Sequence, residues 1–152
     1  MTIILDATQI EHKIRRIAYQ IYEANIHQER FILAGIAENG YILAEKLYEQ
    51  LQQFCQIPIT LCKVFVKKTD PLAPVTTSLP EEAYRGEAVV LVDDVLSSGA
   101  TLIYGVRHFL SVPLKQLKTA VLVNRNHKKY PIKADFKGIS LSTSLQEHIE
   151  VS

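Results

Sequence analysis

Three short runs in this chain, Phe31 to Ile36, Glu87 to Val92 and Leu117 to Val123, are dominated by apolar residues at successive positions instead of alternating with polar ones. A strand with one wet face alternates, whereas a strand apolar on both faces is covered on both, as in parallel sheets sandwiched by helices. Helical spacing fills the intervals. Ile10, Ile14, Ile17, Ala18, Ile21 and Tyr22 recur on one face from Thr8 to about Ile26, and Leu43, Ala44, Leu47 and Leu51 do so from Tyr41 to Phe54. Ile57 to Val66 is a further β-rich run, Leu102 to Leu110 reads as a helix and Ala134 to Leu141 as the last strand. The order alternates β and α, which predicts an α/β fold: a central, mostly parallel sheet with right-handed crossovers and helices on both faces. Lys67 to Gly86 holds three prolines, three threonines and several charges without periodicity, and is expected to be a long flexible loop.

With 152 residues and 47% hydrophobic content, residues 1–152 make one domain of ordinary size, able to bury roughly two-thirds of its unfolded surface. Seventeen basic and 16 acidic residues leave a formal charge of +1, so no global field draws the chain to nucleic acid or anionic lipid. No apolar stretch approaches the ~20 residues of a membrane span, and Met1 to Asp6 lacks the pattern of a signal peptide. A cytoplasmic location is therefore expected. Cys55 and Cys62 match no metal or redox spacing and are read as packing thiols.

Ligands of parallel α/β sheets bind beyond the carboxyl ends of the strands, which singles out Ala37 to Gly40, Asp93 to Thr101 and Asn124 to Tyr130. The second segment carries the most chemistry. Asp93 and Asp94 end an apolar run, and adjacent carboxylates need a divalent cation, donating ligand hydroxyls or turn amides to stabilise them. A sugar diol with magnesium would do so. Ser97, Ser98, Gly99, Ala100 and Thr101 then lead into a helix. Free N–H groups at a helix start, with hydroxyls and a glycine that permits close approach, form a cradle for phosphate. An ordinary turn followed by a Ser or Thr helix cap is the bland alternative to either half alone. The two halves joined favour a ligand site, and the absence of G-x-x-x-x-G-K-[ST] argues against a nucleotide-triphosphate loop.

VVLVDDVLSSGAT resembles the signature of the type I phosphoribosyltransferases. GIAENGYILAEKL, and AVLVNRNHKKYPIKADFKGISLSTS near the end, look like matching stretches of the bifunctional pyrimidine-operon attenuator and uracil phosphoribosyltransferase group. The resemblance implies that Asp93 and Asp94 hold the ribose hydroxyls, with magnesium through the ligand, and that Ser97 to Thr101 hold the 5-phosphate. The implied substrates are 5-phosphoribosyl diphosphate and a nucleobase, a pyrimidine such as uracil, joined with loss of diphosphate by a homodimer. Ala37, Glu38, Asn39 and Gly40 fall where the family binds diphosphate, but without the Lys or Arg that relatives commonly carry. Asn124, Arg125 and His127 follow the strand and could approach the base or the diphosphate, with Arg125 and His127 the candidates; Asn124 and Asn126 replace an Asp and a Gly of the family's D-R-G-H. The Lys67 to Gly86 loop has the length and composition of a closing lid, with a solvated loop as the alternative, and Lys67 or Lys68 could reach the diphosphate from it. Lys128, Lys129 and Lys133 form a small basic cluster, read as a solvated face with an RNA contact as the alternative. A regulator that keeps the phosphoribosyl site but has lost turnover is the competing functional reading.

Overall fold

The computed structural model describes residues 2–70, 72–125, 127–141 and 149–151. Its elements follow the chain as β1 (Thr2–Leu5), α1 (Ala7–Ala24), β2 (Phe31–Ile36), α2 (Asn39–Leu51), β3 (Ile59–Phe65), β4 (Thr76–Thr77), α3 (Glu81–Tyr84), β5 (Ala88–Leu96), α4 (Ala100–Phe109), β6 (Gln116–Arg125), β7 (Phe136–Leu141) and β8 (Ile149–Val151). Six strands form the main sheet in the order β4-β3-β2-β5-β6-β7, with every neighbouring pair parallel except β3 and β4. The expected α/β architecture is present, and β5, the most apolar run, lies near the middle.

Burial explains the apolar runs. All six residues of β2 are buried, as are Ala88 to Asp93 of β5. Ile10, Ile14, Ile17 and Ile21 of α1 and Leu43, Leu47 and Leu51 of α2 pack on one face of the sheet with Leu33, Val90 and Leu122. Leu102 and Phe109 of α4 cover the other face with Ile36, Val89, Leu91 and Val121. Asp6 starts α1 through a capping box: its carboxylate accepts from the Gln9 backbone N–H at 2.8 Å, and its own N–H donates to Gln9 Oε1 at 3.0 Å. Cys55 and Cys62 are free and buried, as packing thiols should be.

Four departures from the sequence expectation bear on the site. The segment from Lys67 to Gly86 is not a plain loop: β4 pairs antiparallel with β3, Ser78 donates its N–H to the Lys63 carbonyl at 2.9 Å, and Tyr84 of α3 is buried. β5 runs to Leu96, so Asp93 and Asp94 lie inside the strand instead of after it. α2 begins at Asn39 and α4 at Ala100, so the turns before both helices are tighter than predicted. Finally, β1 and β8 pair as a separate two-stranded parallel sheet from the two ends of the described chain, a pairing that no local pattern announces.

Candidate functional site

The acidic pair, the small-residue turn and the Ala37 to Gly40 turn converge at the carboxyl ends of β2 and β5. Gly40 is the contact between them. A Cβ placed on it would stand 2.7 Å from the Val92 carbonyl oxygen and 3.1 Å from Asp93 Oδ1, so only a glycine lets the start of α2 lie against the acidic strand. Ala37 donates its N–H to the Val64 carbonyl at 2.8 Å, which fastens the same turn to the end of β3, three residues before Lys67. The Ala37–Glu38 peptide is cis. Glu38 and Asn39 are exposed and Gly40 is buried.

Asp93 is only 4% exposed, and its Oδ1 accepts the Asp94 backbone N–H at 2.9 Å. Burial, followed by the charge of Asp94, raises its carboxyl from 3.8 to about 7, and Lys68 pulls in the opposite direction. Lys68 thus lies within electrostatic reach of Asp93, on the segment expected to close over the site. Asp94 is half-buried and lines a largely apolar cavity of about 270 Å³ with Asn39, Ile10, Ile14, Ile42 and Leu122.

Ser97 to Thr101 surround a small hollow of about 50 Å³ together with Asp93. Gly99, directly before α4, has φ +91°, a conformation that costs other residues energy, and it lines that hollow at the helix start. Its hydrogen also fills a slot: a Cβ there would stand 2.5 Å from Ile132 Cγ2. Ser98 braces the turn twice. Its Oγ accepts the Ala100 N–H at 3.2 Å, and its carbonyl accepts the N–H groups of Lys129 at 2.8 Å and Tyr130 at 3.2 Å. The segment after β6 is thereby tied to the cradle. α4 carries no acid in its first turn and ends with Arg107 and His108, so its dipole favours an anion at Gly99.

Arg125 is the last residue of β6, paired in register with Leu141, and His127 follows in the loop; both are half-buried and both have interaction partners. Asn126 lies outside the described residues, as do residues 142–144 of the last matching stretch. Lys67, Lys68, Lys128 and Lys129 are exposed. The structure thus gathers Asp93, Asp94, the two glycine-containing turns and the β6 end on one side of the sheet. Asn124, which the sequence places at the end of the same strand as a further candidate for the base or the diphosphate, is buried.

The model of the phosphoribosyl transferase domain family matches residues 1–151. The chain belongs to this family. Among curated relatives, the "Bifunctional protein PyrR" of Streptococcus thermophilus is 34% identical over 151 residues, covering 97% of this chain and 87% of that protein. The protein of the same name from a Geobacter species is 36% identical over 164 residues, covering 99% and 90%. Among solved structures, a hypoxanthine-guanine phosphoribosyltransferase of Bacillus anthracis superposes with a TM-score of 0.77 at 19% identity, covering 93% of this chain and 83% of that one. The hypoxanthine phosphoribosyltransferase of Trypanosoma cruzi gives 0.79 at 19% identity, covering 93% and 82%. Those two likenesses establish the fold, and the family match with the PyrR relatives establishes a transferase lineage concerned with nucleotides.

Proposed function

We propose that the chain transfers the phosphoribosyl group of 5-phosphoribosyl diphosphate to a nucleobase, with uracil the first candidate, releasing diphosphate. The observation that carries this reading is the junction of an acidic pair, Asp93 buried and Asp94 half-buried, with a left-handed glycine turn at the start of α4, which offers groups for a sugar diol and for a phosphate side by side. Its relatives' shared name supports the pyrimidine assignment. In this reading the backbone N–H groups and hydroxyls of Ser97 to Thr101 hold the 5-phosphate, while Asp93 and Asp94 accept from the ribose hydroxyls and stabilise the positive charge that grows on the ring as its bond to diphosphate breaks. Arg125 and His127 stand on the base side. The diphosphate would lie against Ala37 to Gly40.

The acids suit magnesium only in company. Among the described residues no group of three or more His, Cys, Asp or Glu could hold a metal alone, and Mg²⁺ commonly takes one or two carboxylates plus substrate phosphates. Asp93 and Asp94 would hold it with the diphosphate oxygens, and bound magnesium would disperse charge on the leaving group. Because the Ala37 to Gly40 turn brings Glu38 and no cation, positive charge for the diphosphate falls to Lys67 and Lys68.

Incubation with magnesium, phosphoribosyl diphosphate and each common base in turn tests the reading. Diphosphate release with at least one base is expected, and none with any base would refute transfer. Glu38 at the diphosphate turn also favours a second reading, a regulator that binds the phosphoribosyl group without turnover; nucleotide binding without diphosphate release, together with salt-sensitive RNA binding, is its signature.

A further inference from the structure

Between α4 and the stretch that precedes β4 lies a cavity of about 290 Å³ that shares no residue with the acids or the phosphate turn. One wall is Leu72 to Val75; the other is Tyr104, Arg107 and His108 of α4, continued by Ser111. The volume stands near the lower end of ligand pockets, about 300 Å³, and suits a compound of one ring with one charged group. Its chemistry is one-sided. No carboxylate is among the lining residues, and the Arg107 guanidinium lies 5.9 Å from the centre of the Tyr104 ring. Burial lowers the His108 pKa, so that ring is neutral at pH 7, with Nε2 3.2 Å from the Tyr84 hydroxyl. Ser111 donates its hydroxyl to the His108 carbonyl at 2.7 Å. A cation in the last turn of a helix serves the helix dipole. That role explains the charge of Arg107, but it does not call for a tyrosine beside the guanidinium or for an open cavity against both.

Both walls lead to the phosphoribosyl site. Tyr104 meets Tyr130 edge to face at 6.2 Å, and the Tyr130 N–H donates to the Ser98 carbonyl that braces the phosphate turn. On the other side, the Ala73 N–H donates to the Asp70 carbonyl and the Asp70 N–H to the Lys67 carbonyl, each at 3.0 Å, so two successive turns join this wall to Lys67 and Lys68. We infer that the cavity is a second ligand site, for a small aromatic anion whose ring lies against Tyr104 and whose carboxylate or phosphate meets Arg107, and that its occupant regulates the phosphoribosyl site. The site itself stands apart from the phosphoribosyl reading; the regulation rests on it.

The chain has no tryptophan and Leu72 is 73% exposed, so Leu72→Trp sets a single reporter on the cavity wall without disturbing the core. Its fluorescence is titrated with orotate, a ring carboxylate, and with uridine 5′-monophosphate, a ring phosphate, while ribose 5-phosphate saturates the phosphate turn. A saturable change with at least one of them is expected, and the one that acts tells which anion the cavity takes. Arg107→Gln in the same background should weaken that binding about tenfold or more, the loss of one charge-assisted contact, with ribose 5-phosphate affinity within about twofold. Equilibrium dialysis of the protein without the reporter should find about one equivalent of the same anion per chain, lost in Arg107→Gln. The anion should also change ribose 5-phosphate affinity by about fivefold or more, and ribose 5-phosphate should change the affinity for the anion by the same factor. No saturable signal with either anion, or an affinity that Arg107→Gln leaves unchanged, overturns the site and leaves the phosphoribosyl reading standing. An unaltered ribose 5-phosphate affinity overturns the regulation. Absence of ribose 5-phosphate binding overturns the phosphoribosyl reading and the regulation with it, and the Arg107→Gln comparison then decides the cavity alone.

Discussion

Asp93 shows how a residue placed for chemistry can oppose folding. Its carboxyl ionises near 3.8 when unfolded and at about 7 in the folded chain, because burial and Asp94 disfavour the charge. Between those values the native state holds a proton that the unfolded state has released, so stability is fully present below the lower value and is lost as pH rises toward the upper one. The gap corresponds to up to about 4 kcal/mol. Asp93→Asn should therefore raise the melting temperature of the ligand-free protein by several degrees at pH 8 and hardly at all near pH 4; equal melting curves at pH 8 would contradict the assignment. At the other end of the ligand, Thr101→Val should weaken ribose 5-phosphate binding by about tenfold by removing a hydroxyl from the cradle. Asp94→Asn should slow diphosphate release. Calorimetry and a steady-state assay would show unchanged values for both variants if the acids and the cradle are not the site.

The turns before α2 and α4 do the positioning, and each depends on a glycine for a different reason. Gly40 is needed because Asp93 and Val92 leave no room for a side chain. Gly99 is needed twice over, for φ +91° and for the contact with Ile132. Gly99→Ala should cost about 2–4 kcal/mol, combining left-handed strain with overpacking; a denaturant midpoint unchanged from the wild type would refute that account. The segment from β3 to α3 is the third device. It is fastened at Val64 and Ser78 and brings Lys68 within electrostatic reach of Asp93. Replacing both lysines with alanine should cut the rate of diphosphate release by about tenfold or more while ribose 5-phosphate affinity stays within about twofold, since the 5-phosphate end lies in the α4 turn. Equal losses in both measurements would mean that the segment supports the whole site instead of the diphosphate alone.

The fold as a whole was legible because its signal is local and repeated. Buried strands carry apolar residues on both faces, amphipathic helices separate them, and the acid pair and hydroxyl-rich turn are contiguous in the chain. No helix among the described residues is long and apolar enough to cross a membrane. A homodimer is expected from the family resemblance, and sedimentation velocity over a range of concentrations should show one species of twice the chain mass; a monomer at all concentrations would refute it. Local spacing could not show that Gly40 seats against Asp93, residues 53 positions apart by their numbers, or that the Lys129 and Tyr130 amides brace Ser98.

The sequence by itself determined the layered α/β class and the chemistry offered at the end of the Glu87 to Val92 run, because periodicity and adjacent side chains are written along the chain. Tertiary structure decided what could not be written there. It fixed how deeply Asp93 is buried, and hence where it titrates. It broke the long segment after β3 into a paired strand and a short helix, since main-chain groups beside a sheet edge find partners there. It also buried Asn124 at the end of β6, where Nδ2 donates to Ser140 Oγ across the β6–β7 ladder and Oδ1 has no hydrogen-bond partner.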